Sequence, residues 1–120
     1  AGVAAAMDYV HQMRVVHGDL KSHNVLLFGP RGGNDLGTAK VCDFGVARDM
    51  DAATRAATAG GAAGTVAYMA PEVLGGRRPT PASDVYAFGV LLWELTALRP
   101  PWEAEMANSF AVVLAVGVEG

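Results

Sequence analysis

The sequence predicts a mainly α chain with small β-hairpins, an α+β class, and three observations carry that assignment. Apolar residues recur at three- and four-residue spacing near the start (Val3, Met7, Val10) and again, more densely, between Val85 and Leu95, which is the period of a helix face. Another helix opens at Asn108-Ser109, two residue types that cap helices, and runs to about Val116. Between these helices lie short β-type runs, Val15-Val16, Val25 to Phe28 and Ala39 to Cys42, each bounded by polar or turn residues.

Composition sets the outer limits. A chain of 120 residues, 52% apolar and 18% charged, is one globular domain able to bury a core, which excludes disorder as a reading of the whole. The net charge of −3 gives no electrostatic footprint for nucleic acid or an anionic membrane, and the one adjacent basic pair, Arg77-Arg78, reads as a solvated turn. Cys42 stands alone, so no internal disulfide forms, and no Cys/His pattern has zinc-ligand spacing. The apolar stretches Val85 to Leu95 and Phe110 to Val118 are too short or too interrupted to span a bilayer. Ala1 to Ala6 lacks the pattern of a signal peptide and the chain does not start with Met, which suggests a fragment.

The first element, Val3 to Arg14, is an amphipathic helix in which His11 is an ordinary member. The loop that follows, Val16 to Leu27, carries an anion (Asp19), a cation (Lys21) and a neutral amide (Asn24) between two β-type flanks. Those groups suit a proton acceptor, a phosphate-facing charge and a metal ligand held on a rigid base. The same residue types also make an ordinary polar hairpin loop. Phe28 to Lys40 is rich in turn formers and reads as a long hairpin connection. Gly32 and Gly37 have the outer spacing of a phosphate-binding loop but are followed by Thr38-Ala39, without its Lys and hydroxyl, so the plain loop reading prevails.

The strand Ala39 to Cys42 delivers Asp43, and Cys42 reads as an inert buried thiol. Asp51 to Gly64 is mostly Ala, Thr and Gly and is expected to be mobile. Thr54 and Thr58 are its phosphoacceptors or merely its spacers, with Arg48 and Arg55 as phosphate partners, and Gly60 to Gly64 is hinge material. Thr80 or Ser83 caps the next helix, with Pro81 in its first turn. Val85, Phe88, Leu91, Leu92 and Leu95 follow at helical spacing with Val90 and Trp93 on the remaining circumference, the pattern of a buried central helix that Pro100-Pro101 ends.

Three ordered motifs go further. His17-Gly18-Asp19-Leu20-Lys21-Ser22-His23-Asn24, Asp43-Phe44-Gly45 and Ala70-Pro71-Glu72 resemble the protein kinase signatures H-R-D-L-x-x-x-N, D-F-G and A-P-E, in that order and with a single departure, Gly18 for Arg. The resemblance covers nearly the whole chain but only the middle of the family's domain. It implies a protein-kinase-like fold, a partial C-terminal lobe filling residues 1–120, with the N-terminal lobe absent. Asp19-Leu20-Lys21-Ser22 and Ser83 to Val90 are most similar to the tyrosine-kinase-like group of serine/threonine kinases, related to Raf and mixed-lineage kinases.

The resemblance also implies roles. Asp19 would accept the hydroxyl proton of a Ser or Thr in a protein substrate, Lys21 would neutralise charge on the γ-phosphoryl of ATP, and Thr65 would hydrogen-bond both. Asn24 and Asp43 would hold Mg²⁺, and Leu26 would lie under the adenine. His17 would pack on Phe44, whose position sets the state of the loop, and Asp84 would anchor the catalytic-loop backbone. For Asp84 the residues also allow a carboxylate favoured by the helix dipole, and both can hold. Glu72 would pair with an Arg beyond this chain, leaving its region less stable here.

Gly18 offers no charge to an activating phosphate, so the usual phosphate switch is not expected. The lysines are Lys21 and Lys40, both already placed, so none remains for the β-strand Lys that clamps ATP. The expected protein is therefore an ATP- and Mg²⁺-dependent serine/threonine kinase when the domain is whole, resident in the cytoplasm, without a membrane segment or nucleic-acid partner. The alternative is a catalytically silent binding module acting through surfaces such as Pro100-Pro101-Trp102.

Overall fold

The computed structural model describes residues 2–29, 37–45, 47–49, 63–103 and 108–118. In chain order these form α1 (Gly2–Gln12), β1 (Val15–Val16), a 3-10 turn (Ser22–Asn24), β2 (Val25–Phe28), β3 (Thr38–Val41), β4 (Arg48–Asp49), α2 (Ala63–Val66), α3 (Pro71–Leu74), α4 (Pro81–Ala97) and α5 (Ser109–Val118). Among the described residues the fold is helix-rich with two small antiparallel sheets.

Helix α1 ends sooner than its periodicity suggests, because Arg14 turns the chain with a left-handed φ of 62° and delivers it straight into β1. Met7 is buried and Val3 packs beside it, as the apolar spacing requires. The two runs that flank the polar loop do not pair with each other. β1 pairs with β4 (Val15 opposite Asp49, Val16 opposite Arg48) and β2 with β3 (Val25 opposite Val41, Phe28 opposite Thr38). The loop is thus no simple hairpin tip: each end is held by a different sheet.

The β2–β3 connection is antiparallel as expected, with 30–36 outside the described residues. Gly37 closes it at φ 76°, where a Cβ would lie 2.6 Å from the Phe28 carbonyl oxygen, so only glycine fits. The expected mobility of Asp51 to Gly64, the phosphoacceptors Thr54 and Thr58, and Arg55 fall mainly on residues outside those described.

Thr80 caps α4 in a reciprocal box with Ser83: each side chain accepts from the other's backbone N–H, and Pro81 takes the first helical position. Leu98, left-handed at φ 54°, ends the helix and returns its N–H to Glu94 O. The all-round burial expected of α4 is not found. Val85 is 63% exposed and Leu95 61%, while the buried stripe is Ser83, Asp84, Ala87 and Leu91. The apolar pattern fills the circumference, but toward the core of Met7, Leu20, Ala67 and Tyr68 the helix turns Ala87, with Phe88 and Val90 partly buried against the same cluster. α5 rests on α2 and α3, burying Val112 and Val116 one turn apart. No helix among the described residues is long and apolar enough to cross a membrane.

Candidate functional site

The site is built outward from Asp84. Its carboxylate, 2% exposed in the first turn of α4, accepts the backbone N–H of His17 (2.9 Å to Oδ2) and of Gly18 (2.9 Å to Oδ1), and its Oδ2 lies 2.9 Å from His11 Nε2. Two main-chain donors of the polar loop therefore end on one buried acid. Gly18 takes φ 77°, a conformation in which glycine carries no Cβ penalty. Asp84 serves as backbone anchor and sits at the positive end of the helix dipole, so both readings of it hold. His11, read from sequence as an ordinary helix residue, is the third partner of this acid.

His17 is fully buried, and its ring lies 4.8 Å from that of Phe44. Its Nδ1 accepts the Asp19 N–H at 3.2 Å, so Nε2 carries the ring proton and donates to Cys42 O at 3.1 Å. The ring is a spacer between the loop and the strand end, as the packing role expected. Beyond it, Asp19, Lys21 and Asn24 converge. Lys21 Nζ donates to Asp19 Oδ2 and to Thr65 Oγ1, both at 2.8 Å. The buried Asn24 amide donates to the Asp19 carbonyl at 2.8 Å and more distantly, at 3.3 Å, to Asp19 Oδ2. Thr65 reaches Asp19 through Lys21 rather than by a direct bond of its own.

Asp43 follows β3 with a left-handed φ of 62°, an arrangement Asp tolerates better than most residues. The Gly45 N–H caps its Oδ1 at 3.3 Å. Both its neighbours are tied to the loop: the Cys42 N–H donates to Asn24 O at 2.9 Å, and the Phe44 ring packs against His17 at a tilt of 57°. Asp43 is therefore carried on a segment bonded to Asn24 and His17, with its carboxylate exposed. Carboxylate and amide oxygens are hard donors of the kind that suits Mg²⁺. Among the described residues, no three His, Cys, Asp or Glu cluster as a metal cage. Leu26 lies in β2 opposite Lys40, with its side chain largely exposed. Cys42 is half-buried rather than sealed in the core.

The segment bearing Thr65 is anchored too, by residues the motif reading passed over. Tyr68 donates its hydroxyl to Glu94 Oε2 at 2.6 Å, with Ser22 Oγ beside both. The Trp102 indole N–H donates to Ala67 O at 3.1 Å. Pro101 is buried and Trp102 half-buried, so the surface on which a binding-module reading relies is partly spent on internal packing. Sequence patterning gave no warning of Glu94, a lone acid inside an apolar helical run.

Burial, and then the bond to Glu94, raise the Tyr68 phenol above its ordinary value of 10.0, and burial followed by the charge of Glu72 does the same to Tyr86. Below that value both folded and unfolded chains keep these protons and the stabilisation is complete. Above it the unfolded phenols ionise first, so stability falls as pH climbs toward the folded values. Urea midpoints measured on either side of pH 10 are expected to drop on the alkaline side, and Tyr68→Phe to flatten that drop. A midpoint indifferent to pH in this window would contradict the burial of both hydroxyls.

The protein kinase domain model matches residues 1–115. Serine/threonine-protein kinase CTR1 of Arabidopsis thaliana is 45% identical over 117 residues, covering 96% of this chain and 13% of that protein. Mitogen-activated protein kinase kinase kinase 11 of Homo sapiens is 40% identical over 121 residues, 97% of this chain and 14% of that protein. A probable LIM domain-containing serine/threonine-protein kinase of Dictyostelium discoideum is 40% identical over 115 residues, 96% and 16% respectively. The chain thus spans only a small part of the length of each relative. With a family model matched over nearly its full length and the motif residues joined as described, the chain belongs to the protein kinase family.

Proposed function

We propose that these residues are the substrate- and metal-facing part of a serine/threonine protein kinase of the tyrosine-kinase-like group, occupying residues 1–120 as a partial domain whose other lobe clamps ATP. The observation that carries this reading is Lys21 Nζ, which bridges Asp19 Oδ2 and Thr65 Oγ1 at 2.8 Å each. Asp19 accepts the proton of the attacking Ser or Thr hydroxyl and orients it. Lys21 balances the charge gathering on the γ-phosphoryl, and Thr65 fixes its direction. Asp43 and Asn24 hold Mg²⁺, which when bound neutralises phosphate charge. Leu26 supplies an apolar surface for the adenine. The reaction takes place in the cytoplasm, where ATP is at hand, and its partner is a protein substrate.

The complete protein, given Mg²⁺ and ATP labelled at the γ-phosphate, is expected to label serine or threonine in a protein acceptor. Label confined to tyrosine, or none at all, would refute the proposal, and the second outcome would favour a silent binding module.

Gly18 leads to a separate expectation. With glycine in place of arginine at position 18, and with Asp84 already holding the Gly18 N–H at 2.9 Å, ordering does not wait for a phosphate. Phosphatase treatment of the active domain should leave its rate unchanged, whereas a large loss reversed by rephosphorylation would show that a switch operates after all.

A further inference from the structure

Helix α4 touches the polar loop twice. Asp84 grips the loop's entry, and Glu94, ten residues further along the helix and so about 15 Å along its axis, meets the loop's exit. Glu94 Oε2 accepts the Tyr68 hydroxyl at 2.6 Å, Glu94 Oε1 accepts Ser22 Oγ at 3.2 Å, and the two hydroxyl oxygens lie 3.1 Å apart. Ser22 directly follows Lys21, and Tyr68 sits one short turn after Thr65, with its N–H bonded to Thr65 O at 3.1 Å. The two segments that meet through Lys21 and Thr65 therefore meet a second time through Ser22 and Tyr68, and the second contact is fastened to a rigid helix.

The chemistry of the three groups makes this fastening directional. The carboxylate has no proton, so Tyr68 gives its one proton to Glu94; Ser22 gives its own to Glu94 Oε1 or to the Tyr68 hydroxyl oxygen, and either way the chain of donors ends on the acid. Tyr68 is 5% exposed and Ser22 and Glu94 are half-buried, so solvent access to this short charge-assisted bond is limited. We infer that Glu94 is a positioning residue that acts through Ser22 and Tyr68 to hold Lys21 and Thr65 in register beside Asp19. This rests on the kinase reading above, in which Lys21 acts on charge that develops during transfer. A lateral slip of Lys21 by a fraction of an ångström therefore affects turnover more than nucleotide binding.

The test uses the complete protein and five variants: Tyr68→Phe, Ser22→Ala, the two combined, Glu94→Ala, and all three together. The combined variant and Glu94→Ala are each expected to lower kcat by about tenfold or more while KM for ATP stays within about twofold. Adding Glu94→Ala to the combined variant should lower kcat no further, because all three groups act as one unit. Purely structural contacts would instead lower the melting temperature and leave kcat at the wild-type value, and that result overturns the inference. If Glu94→Ala does not fold, Tyr68→Phe and Ser22→Ala, which remove one oxygen each, decide the matter. Asp19→Asn run alongside separates the two failures. Transfer by the wild type but not by Asp19→Asn, together with wild-type kcat in the combined variant, sinks the fastening alone. No transfer by the wild type sinks the kinase reading and the fastening with it.

Discussion

Asp19→Asn in the complete domain is expected to slow phosphoryl transfer by at least about 10²-fold, the lower end of what a positioned general base contributes. The substitution keeps the size and shape of the side chain but gives it a weakly basic amide in place of a carboxylate. Its other consequence is the loss of the ion pair with Lys21, whose partners are 17% and 18% exposed at 2.8 Å. The pair is mostly shielded from water, but asparagine keeps an oxygen that can accept from Lys21 Nζ, so what is lost is the part of the bond due to the charge, about 1 kcal/mol; since about 1.4 kcal/mol corresponds to tenfold in rate, that loss alone explains less than one order of magnitude. The two effects are therefore separable by size. Single-turnover rates with saturating Mg²⁺ and ATP decide between them: a fall under tenfold would reduce Asp19 to an ion-pair partner, and an unchanged rate would remove it from the chemistry.

The residues in this argument were visible in the sequence before any of their contacts were. Asp19, Lys21, Asn24 and Asp43 stand at fixed spacing in motifs, and spacing survives without a structure. His17 against Phe44 and Asp84 on the loop backbone were foreseen on the same ground, and the contacts at 4.8 Å and 2.9 Å agree. The fastening by Glu94 was not foreseen. Its members come from three separated segments, and nothing in Ser22, Tyr68 or Glu94 taken singly distinguishes a network member from a solvated polar residue.

The fold was legible to a similar depth. α1, α4 and α5 announce themselves by period and caps, whereas α2 and α3, at four residues each, are shorter than the period that would betray them. β1 and β2 were readable as strands, and the turn-rich connection gave β2 its partner β3, but the partner of β1 was not readable, because pairing across about thirty residues is a long-range choice that two residues do not encode. The over-reading of α4 has a related cause. An apolar circumference says which residues can be buried, and Val85 and Leu95 show that the neighbouring elements described cover only one stripe of it.

Asp84→Asn is expected to be the most damaging conservative change to stability. The carboxylate offers an oxygen to each of two backbone donors, His17 N–H and Gly18 N–H, at 2.9 Å. An amide offers one oxygen and turns an N–H₂ group toward the other donor, so one buried N–H loses its partner and faces a second donor. An unsatisfied buried donor costs roughly 1–3 kcal/mol. The His11 contact at 2.9 Å weakens as well once the acid is neutral, which puts the expected loss at about 3 kcal/mol in total. Asp84→Ala, which strands both donors, should cost more than Asn. Urea unfolding of the complete domain measures both, with a midpoint shift at unchanged slope as the expected signature. A loss below about 1 kcal/mol, within the range of an ordinary surface change, would mean that water satisfies the loop backbone and that Asp84 does not hold it.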